Sequence, residues 1–106
     1  MQDIQINAKK LNAILKSPQP IPVIDIREDW EIEIVGFPNA THIPLSEIVK
    51  NMDCLPKDQH FVLVCHHGIR SLKTVLWLRQ QGYEAYNLIG GINSWSEEID
   101  PSLPKY

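Results

Sequence analysis

The sequence predicts an α/β fold with a central, mostly parallel sheet. Two observations carry that expectation. Apolar runs alternate with helix-periodic stretches along the whole chain. The two best runs, "VIDI" at 23–26 and "HFVLVC" at 60–65, are nearly continuous in apolar residues, as in strands covered on both faces. Parallel neighbours of this kind need right-handed crossovers, which the intervening helices supply.

The elements follow in order. "IQI" at 4–6 reads as a short strand. In "NAKKLNAILK" the residues Leu11, Ile14 and Leu15 share one helical face, with Asn7 placed to cap it. "SPQPIP" holds three prolines and ends that helix. After the "VIDI" strand, the acidic "REDWEIE" suits a short helix. "GFPNATHIPL" reads as loop with a two-residue strand at Thr41 and His42. "LSEIVKNM" is expected to be helical, with Leu45, Ile48 and Val49 on one face. Beyond "HFVLVC", a turn "HHGIR" leads to a helix expected from Ser71 to about Gln81, with Leu72, Val75, Leu76 and Leu78 turned inward and Gly82 ending it. "YEAYNL" reads as a strand, Gly90 and Gly91 open a short helix containing Trp95, and residues 100–106 read as an irregular tail.

A chain of 106 residues fits one domain, 1–106, able to bury its own core. Its net charge of -3 argues against nucleic-acid binding, which needs a basic face. It does not argue against a small anion, which one arginine and one helix end can hold. The opening "MQDIQINAKK" carries no apolar stretch suited to export or membrane insertion. Two cysteines, Cys54 and Cys65, are too few for a disulfide framework, so the expectation is a cytoplasmic protein with reduced thiols and no membrane partner.

The candidate site is "CHHGIRS", residues 65–71. In parallel α/β sheets, ligands bind where a strand's carboxyl end turns into a helix. Successive N–H groups in such a turn form an anion-binding concavity, and the helix that follows adds its free N–H groups and dipole. A cysteine at that focus is favoured as thiolate, the nucleophilic form. Arg70 offers a fixed charge and a fork for an oxyanion, and Gly68 permits a tight backbone. A lone cysteine ending an apolar strand is most often a small buried hydrophobe. Gly68, Arg70 and Ser71 in the same turn weigh towards a reactive thiol. Adjacent His66 and His67 raise the question of a metal, but their side chains are expected to diverge, and His42, Cys54 and His60 lack ligand spacing, so no metal is assigned. Loop scaffolding is the simpler role for both histidines. Cys54 reads as idle, Lys73 as solvated, and Trp30, Trp77 and Trp95 as core or rim.

The loop resembles the active-site loop of the rhodanese sulfurtransferases, with a cysteine first and an arginine sixth. Three further stretches resemble that family in its order. "VIDIREDWEIE" is similar to a D-V-R-E-x-x-E segment at Asp25, Arg27, Glu28 and Glu31. "FPNATHIPL" is similar to I-P-G-A-x-x-I-P, and "LIGGINSW" to L-x-G-G-x-x-x-W at Gly90, Gly91 and Trp95. The chain departs from the pattern at Val35-Gly36 and at Asp29, where the family often has Gly-His and proline, which bears on local packing. The loop itself is complete, which excludes a cysteine-less regulatory version.

The resemblance implies a rhodanese-like three-layer fold with helices on both faces of the sheet. It implies Cys65 as catalytic nucleophile, His66, His67, Gly68, Ile69, Arg70 and Ser71 as substrate-binding loop, and no cofactor. The implied reaction moves a sulfane sulfur from a small sulfur-containing anion such as thiosulfate to a thiophilic acceptor: cyanide in assay, a thiol, or a protein. Asp25 and Arg27 are expected to support the fold, paired with each other or with the loop from behind. An alternative is a persulfide carrier docking on a partner protein, with weak thiosulfate turnover. Cysteine-dependent phosphatases and arsenate reductases are the nearest chemical rivals. Phosphatases separate cysteine from arginine by five residues, whereas only His66 to Ile69 stand between Cys65 and Arg70, a smaller ring that favours sulfur.

Overall fold

A computed structural model describes residues 4–106; Met1, Gln2 and Asp3, at the head of the stretch read for export signals, lie outside the described residues. Five strands form one parallel sheet: β1 (Gln5–Ile6), β2 (Val23–Asp25), β3 (Thr41–His42), β4 (Phe61–Val64) and β5 (Ala85–Leu88), in the order β1-β5-β4-β2-β3. The α-helices are α1 (Ala8–Leu15), α2 (Asp29–Ile34), α3 (Ile69–Gln80) and α4 (Gly91–Glu98). The expected α/β class and parallel sheet are what the structure has.

The central strand β4 shows why both faces must be covered. Phe61, Leu63 and Cys65 point to one side, into a core with Val75 and Leu78 of α3 and with Ile48 and Leu55. Val62 and Val64 point to the other, against Leu11 of α1 and Ile92 and Trp95 of α4. All four residues of β4 are fully buried. The period of two along a strand thus divides one apolar run between two layers of helix.

Local chemistry sets the helix ends. Asn7 caps α1 by accepting the Lys10 N–H at 2.8 Å. Glu28 and Glu31 form a reciprocal capping box at the start of α2. Asn39 takes a left-handed conformation, φ 58°, at the position where the resembling motif has glycine. Asparagine is among the side chains that tolerate it.

Three expectations are corrected. "LSEIVKNM" is not an α-helix: it holds 3-10 turns at Leu45–Glu47 and Met52–Cys54, and only Ile48 of its expected face is buried, with Leu45 and Val49 exposed. A single anchoring side chain does not repay a longer helix, since helical stability comes mainly from an apolar face packed along its length. The helix after the loop starts at Ile69 rather than Ser71, because Gly68 in the left-handed region, φ 86°, ends the turn early. Its buried stripe is Ser71, Thr74, Val75 and Leu78, at i, i+3, i+4 and i+7, which leaves Leu76 exposed.

Phe61, fully buried in the central strand, and Val49, 67% exposed, differ most in what truncation removes. Phe61→Ala is expected to lower unfolding free energy by about 3–5 kcal/mol, and Val49→Ala to change it by less than about 0.5 kcal/mol, in chemical denaturation.

Candidate active site

The loop between β4 and α3 is shorter than the sequence suggested: Cys65 to Gly68, with Arg70 and Ser71 already in the first helical turn. That shift aims helix N–H groups at the sulfur. Cys65 Sγ accepts the Gly68 N–H at 3.1 Å and the Ser71 N–H at 3.4 Å, and lies 3.2 Å from Ser71 Oγ. The residue is buried, 1% exposed, at the carboxyl end of the central strand.

The outer side of the loop is clamped. Ile92 and Asn93, in the first turn of α4, donate their N–H groups to the carbonyls of Cys65 and His66 at 2.9 and 3.1 Å. So close an approach leaves no room for side chains between the two backbones. A Cβ on Gly91 would stand 2.3 Å from the Cys65 carbonyl oxygen, and one on Gly68 would stand 2.9 Å from the Gly90 nitrogen. The clamp holds the first two loop residues against α4, while the N–H groups that reach the sulfur come from Gly68 and Ser71 at the start of α3.

Arg70 has a partner that the loop alone did not reveal. Its Nη1 and Nη2 donate to the two carboxylate oxygens of Glu31 at 2.7 and 2.9 Å. Hydrogen bonding from Arg70, reinforced by the Tyr106 hydroxyl and opposed by burial, holds the Glu31 carboxyl down to about 2, and the same fork raises Arg70 above the usual arginine range. Asp25 and Arg27 pair with each other, Arg27 Nη2 to Asp25 Oδ2 at 2.7 Å, both buried. They stand two residues apart, so both project to the same side of the chain. Arg27 also donates to the Val35 carbonyl at 2.7 Å and to the Tyr106 hydroxyl at 3.0 Å, and Tyr106 in turn donates to Glu31 Oε2 at 2.6 Å. Burial works against the charge of Arg27, but Asp25 and Tyr106 together hold its pKa above the ordinary arginine value.

The histidines do not diverge as expected. Their rings stack at 3.9 Å between centroids, and His66 stacks on Tyr106 at 3.8 Å with planes 9° apart. Flat π-faces packed together offset the exposure of three rings beside the loop. Burial, the neighbouring His67 and the nearby arginines lower the pKa of His66, against an opposing pull from Glu31. Among the described residues, no three His, Cys, Asp or Glu side chains converge as a metal site would need. Ile69 is exposed at the loop, as is Lys73 one turn further on. Cys54 is exposed and unpaired with Cys65. Trp95 is core, whereas Trp30 and Trp77 lie at the surface.

Tyr106 and Asn87 belong to the site's surroundings without having been singled out, and Glu31, named only as a motif position, proves to be the partner of Arg70. Asn87, on β5, bonds Ser71, the Gly68 carbonyl and Gln5. Its signal was legible: one amide inside the otherwise apolar end of "YEAYNL". Glu31 carried a signal in its spacing to Glu28. Tyr106 carried none, since nothing in the tail "DPSLPKY" points back to Glu31.

Because the Glu31 carboxyl lies near 2 when folded and near its ordinary 4.5 when unfolded, the pair stabilises the fold fully above about pH 4.5. That contribution is lost as pH falls from there towards 2. Acid titration of stability is expected to show this loss, on the order of 2–3 kcal/mol, and Glu31→Gln is expected to flatten it.

Known proteins resemble this chain in sequence and, where solved, in architecture. Residues 7–98 match the family model described as Rhodanese-like domain. YtwF of Bacillus subtilis is 32% identical over 95% of this chain and 98% of its own length. A protein of Allochromatium vinosum named Sulfurtransferase is 34% identical over 87% of each chain. The crystal structure of a rhodanese-like domain protein from Staphylococcus aureus superposes with a TM-score of 0.84 at 31% identity, covering 96% of this chain and 97% of that one. Other relatives are longer, and this chain spans 26% of their length. A matching family model over most of the chain, together with the parallel sheet and the loop at its carboxyl edge, places this chain in the rhodanese-like domain family.

Proposed function

We propose that the chain is a sulfurtransferase in which Cys65 carries a sulfane sulfur between donor and acceptor. The observation that supports this most is the reception of Cys65 Sγ by the Gly68 and Ser71 N–H groups at the start of α3. In the first half-reaction the Cys65 thiolate attacks the outer sulfur of thiosulfate. A new sulfur–sulfur bond forms on Cys65, the donor's own sulfur–sulfur bond breaks, and sulfite leaves with the bonding pair. In the second, cyanide attacks the terminal sulfur of the persulfide, a carbon–sulfur bond forms, the sulfur–sulfur bond breaks, thiocyanate leaves, and the thiolate returns with the bonding pair. Fixed N–H donors around the sulfur favour the thiolate that attacks in the first step and stabilise it as the leaving group of the second. Arg70, 38% exposed even while paired with Glu31, supplies the positive charge for the donor's sulfonate end. No metal or organic group enters the scheme. The name of the Allochromatium relative agrees with this chemistry.

Delivery to a protein acceptor is the second reading. Trp30 and Ile69, 55% and 66% exposed, flank the site, with Trp30 edge-on to Tyr106 at 6.0 Å. Exposed apolar side chains beside a reactive loop suit a docked partner better than a free small molecule. A stable persulfide with slow release to cyanide would favour it.

Incubation with thiosulfate is expected to add one sulfur atom to Cys65 by mass spectrometry, and Cys65→Ser to abolish the addition. Arg70→Ala is expected to slow thiosulfate use by about 10–100-fold, the scale of a lost charge-assisted contact, in a thiocyanate-formation assay. Wild-type protein that takes up no sulfur would sink the proposal.

A further inference from the structure

The hydrogen bonds behind Cys65 can be counted. Asn87 Nδ2 donates to Gln5 Oε1 at 2.9 Å and to the Gly68 carbonyl at 3.1 Å. Two acceptors on one side fix the amide, so Oδ1, which can only accept, faces Ser71 Oγ. The Ser71 hydroxyl has one proton and donates it to Asn87 Oδ1. The same Oγ lies 3.2 Å from Cys65 Sγ. With its proton committed to Asn87, Ser71 can only accept from the sulfur, which requires Cys65 to be a thiol. Once Cys65 loses its proton, Sγ and Oδ1 both need the one hydroxyl.

We propose that Ser71 and Asn87 form a hydroxyl switch that sets the reactivity of Cys65: Asn87 holds the Ser71 proton while the thiol rests, and the hydroxyl turns to Sγ when the thiolate forms. The step is a proton loss with no redox change. The S–H bond breaks, the proton leaves to water or a buffer base, and the Ser71 O–H rotates from Oδ1 to the sulfur anion. The thiolate then has three donors, the N–H groups of Gly68 and Ser71 and the Ser71 hydroxyl. Asn87 is a positioning residue, acting through Ser71, and its competition for the hydroxyl opposes ionisation. The charged and titratable groups around the sulfur are Arg70 with its partner Glu31, His66 and His67 stacked beside the loop, and Tyr106, Arg27 and Asp25 behind them. None of these is among the described hydrogen-bond partners of Sγ, and the substitutions below leave all of them in place. The inference deepens the reading of Cys65 as the reacting thiol and rests on it.

The test is the rate of Cys65 alkylation by iodoacetamide against pH, followed by peptide mass in a Cys54→Ser background, with folding checked by thermal melting. Ser71→Ala removes a donor to the thiolate and is expected to slow alkylation at pH 7 by about three- to ten-fold, less than a full hydrogen bond to a charged group because Asn87 competes for the hydroxyl. Asn87→Leu frees the hydroxyl for the sulfur and is expected to speed it by a similar factor, moving the profile to lower pH. In the double variant the gain is expected to vanish, since it comes from the freed Ser71 hydroxyl. Should Asn87→Leu not fold, Asn87→Asp keeps an acceptor facing Ser71 and is expected to alkylate no faster than wild type. The inference is overturned by an unchanged rate in Ser71→Ala, by no gain in folded Asn87→Leu, by a gain that survives in the double variant, or by faster alkylation of Asn87→Asp. Sulfur uptake from thiosulfate, read on the same samples, separates the two claims. Uptake with flat alkylation rates removes the switch alone, whereas the expected rates without uptake remove the sulfur-transfer reading and leave the switch.

Discussion

The site depends on one backbone contact. Where Ile92 and Asn93 donate to the carbonyls of Cys65 and His66, two turns of chain meet without side chains between them. The clamp fixes where the loop leaves the sheet, and Cys65 with it. The N–H groups that reach the sulfur are those of Gly68 and Ser71, further along the same turn. Gly91 is required at the contact by simple space, since a Cβ would sit 2.3 Å from the Cys65 oxygen. Gly68 is required twice over, by that closeness and by its φ of 86°. Two distant stretches of sequence, the loop and the "GG" turn, therefore specify a single cradle.

Charge is organised around this cradle as a chain of buried partners. Asp25 neutralises Arg27, Arg27 reaches the Tyr106 hydroxyl, Tyr106 bonds Glu31, and Glu31 grips Arg70. Each buried charge has a counter-charge within hydrogen-bond distance, which is the condition for burying charges at all. The arrangement fixes the loop arginine to α2 while leaving part of its guanidinium at the surface. It also explains the burial of Glu31 on a short helix whose other residues are exposed or half-buried: its carboxylate is the anchor between α2 and the loop. Tyr106 has its pKa pushed up to about 12, chiefly by burial, so it serves here as a neutral hydroxyl that both accepts and donates.

Much of this was legible in the residues. "HFVLVC" had to be a buried strand because nothing polar interrupts it, and a turn had to follow Cys65 because a glycine and polar groups come next, although the helix takes over at Ile69 rather than Ser71. The pairing of Asp25 with Arg27 was open to deduction from their spacing of two. What local pattern could not show were contacts made across long separations. Tyr106 meets Glu31 across 75 residues, and Arg70 meets Glu31 across 39. The two histidines stack, against expectation, because the Tyr106 ring supplies a third surface. The 3-10 turns around Ile48 mislead for another reason: their apolar residues fit a helical period, but the core has room for only one of them. Asn87 is the instructive case, an amide in a strand whose role depends on which of its two ends faces Ser71.

The claim that Cys65 carries sulfur between two separate half-reactions has a direct kinetic signature. Initial rates of thiocyanate formation, measured with thiosulfate varied at several fixed cyanide concentrations, are predicted to give parallel double-reciprocal lines, because sulfite leaves before cyanide reacts. Intersecting lines would mean that donor and acceptor meet on the protein together, and would contradict a sulfur held on Cys65.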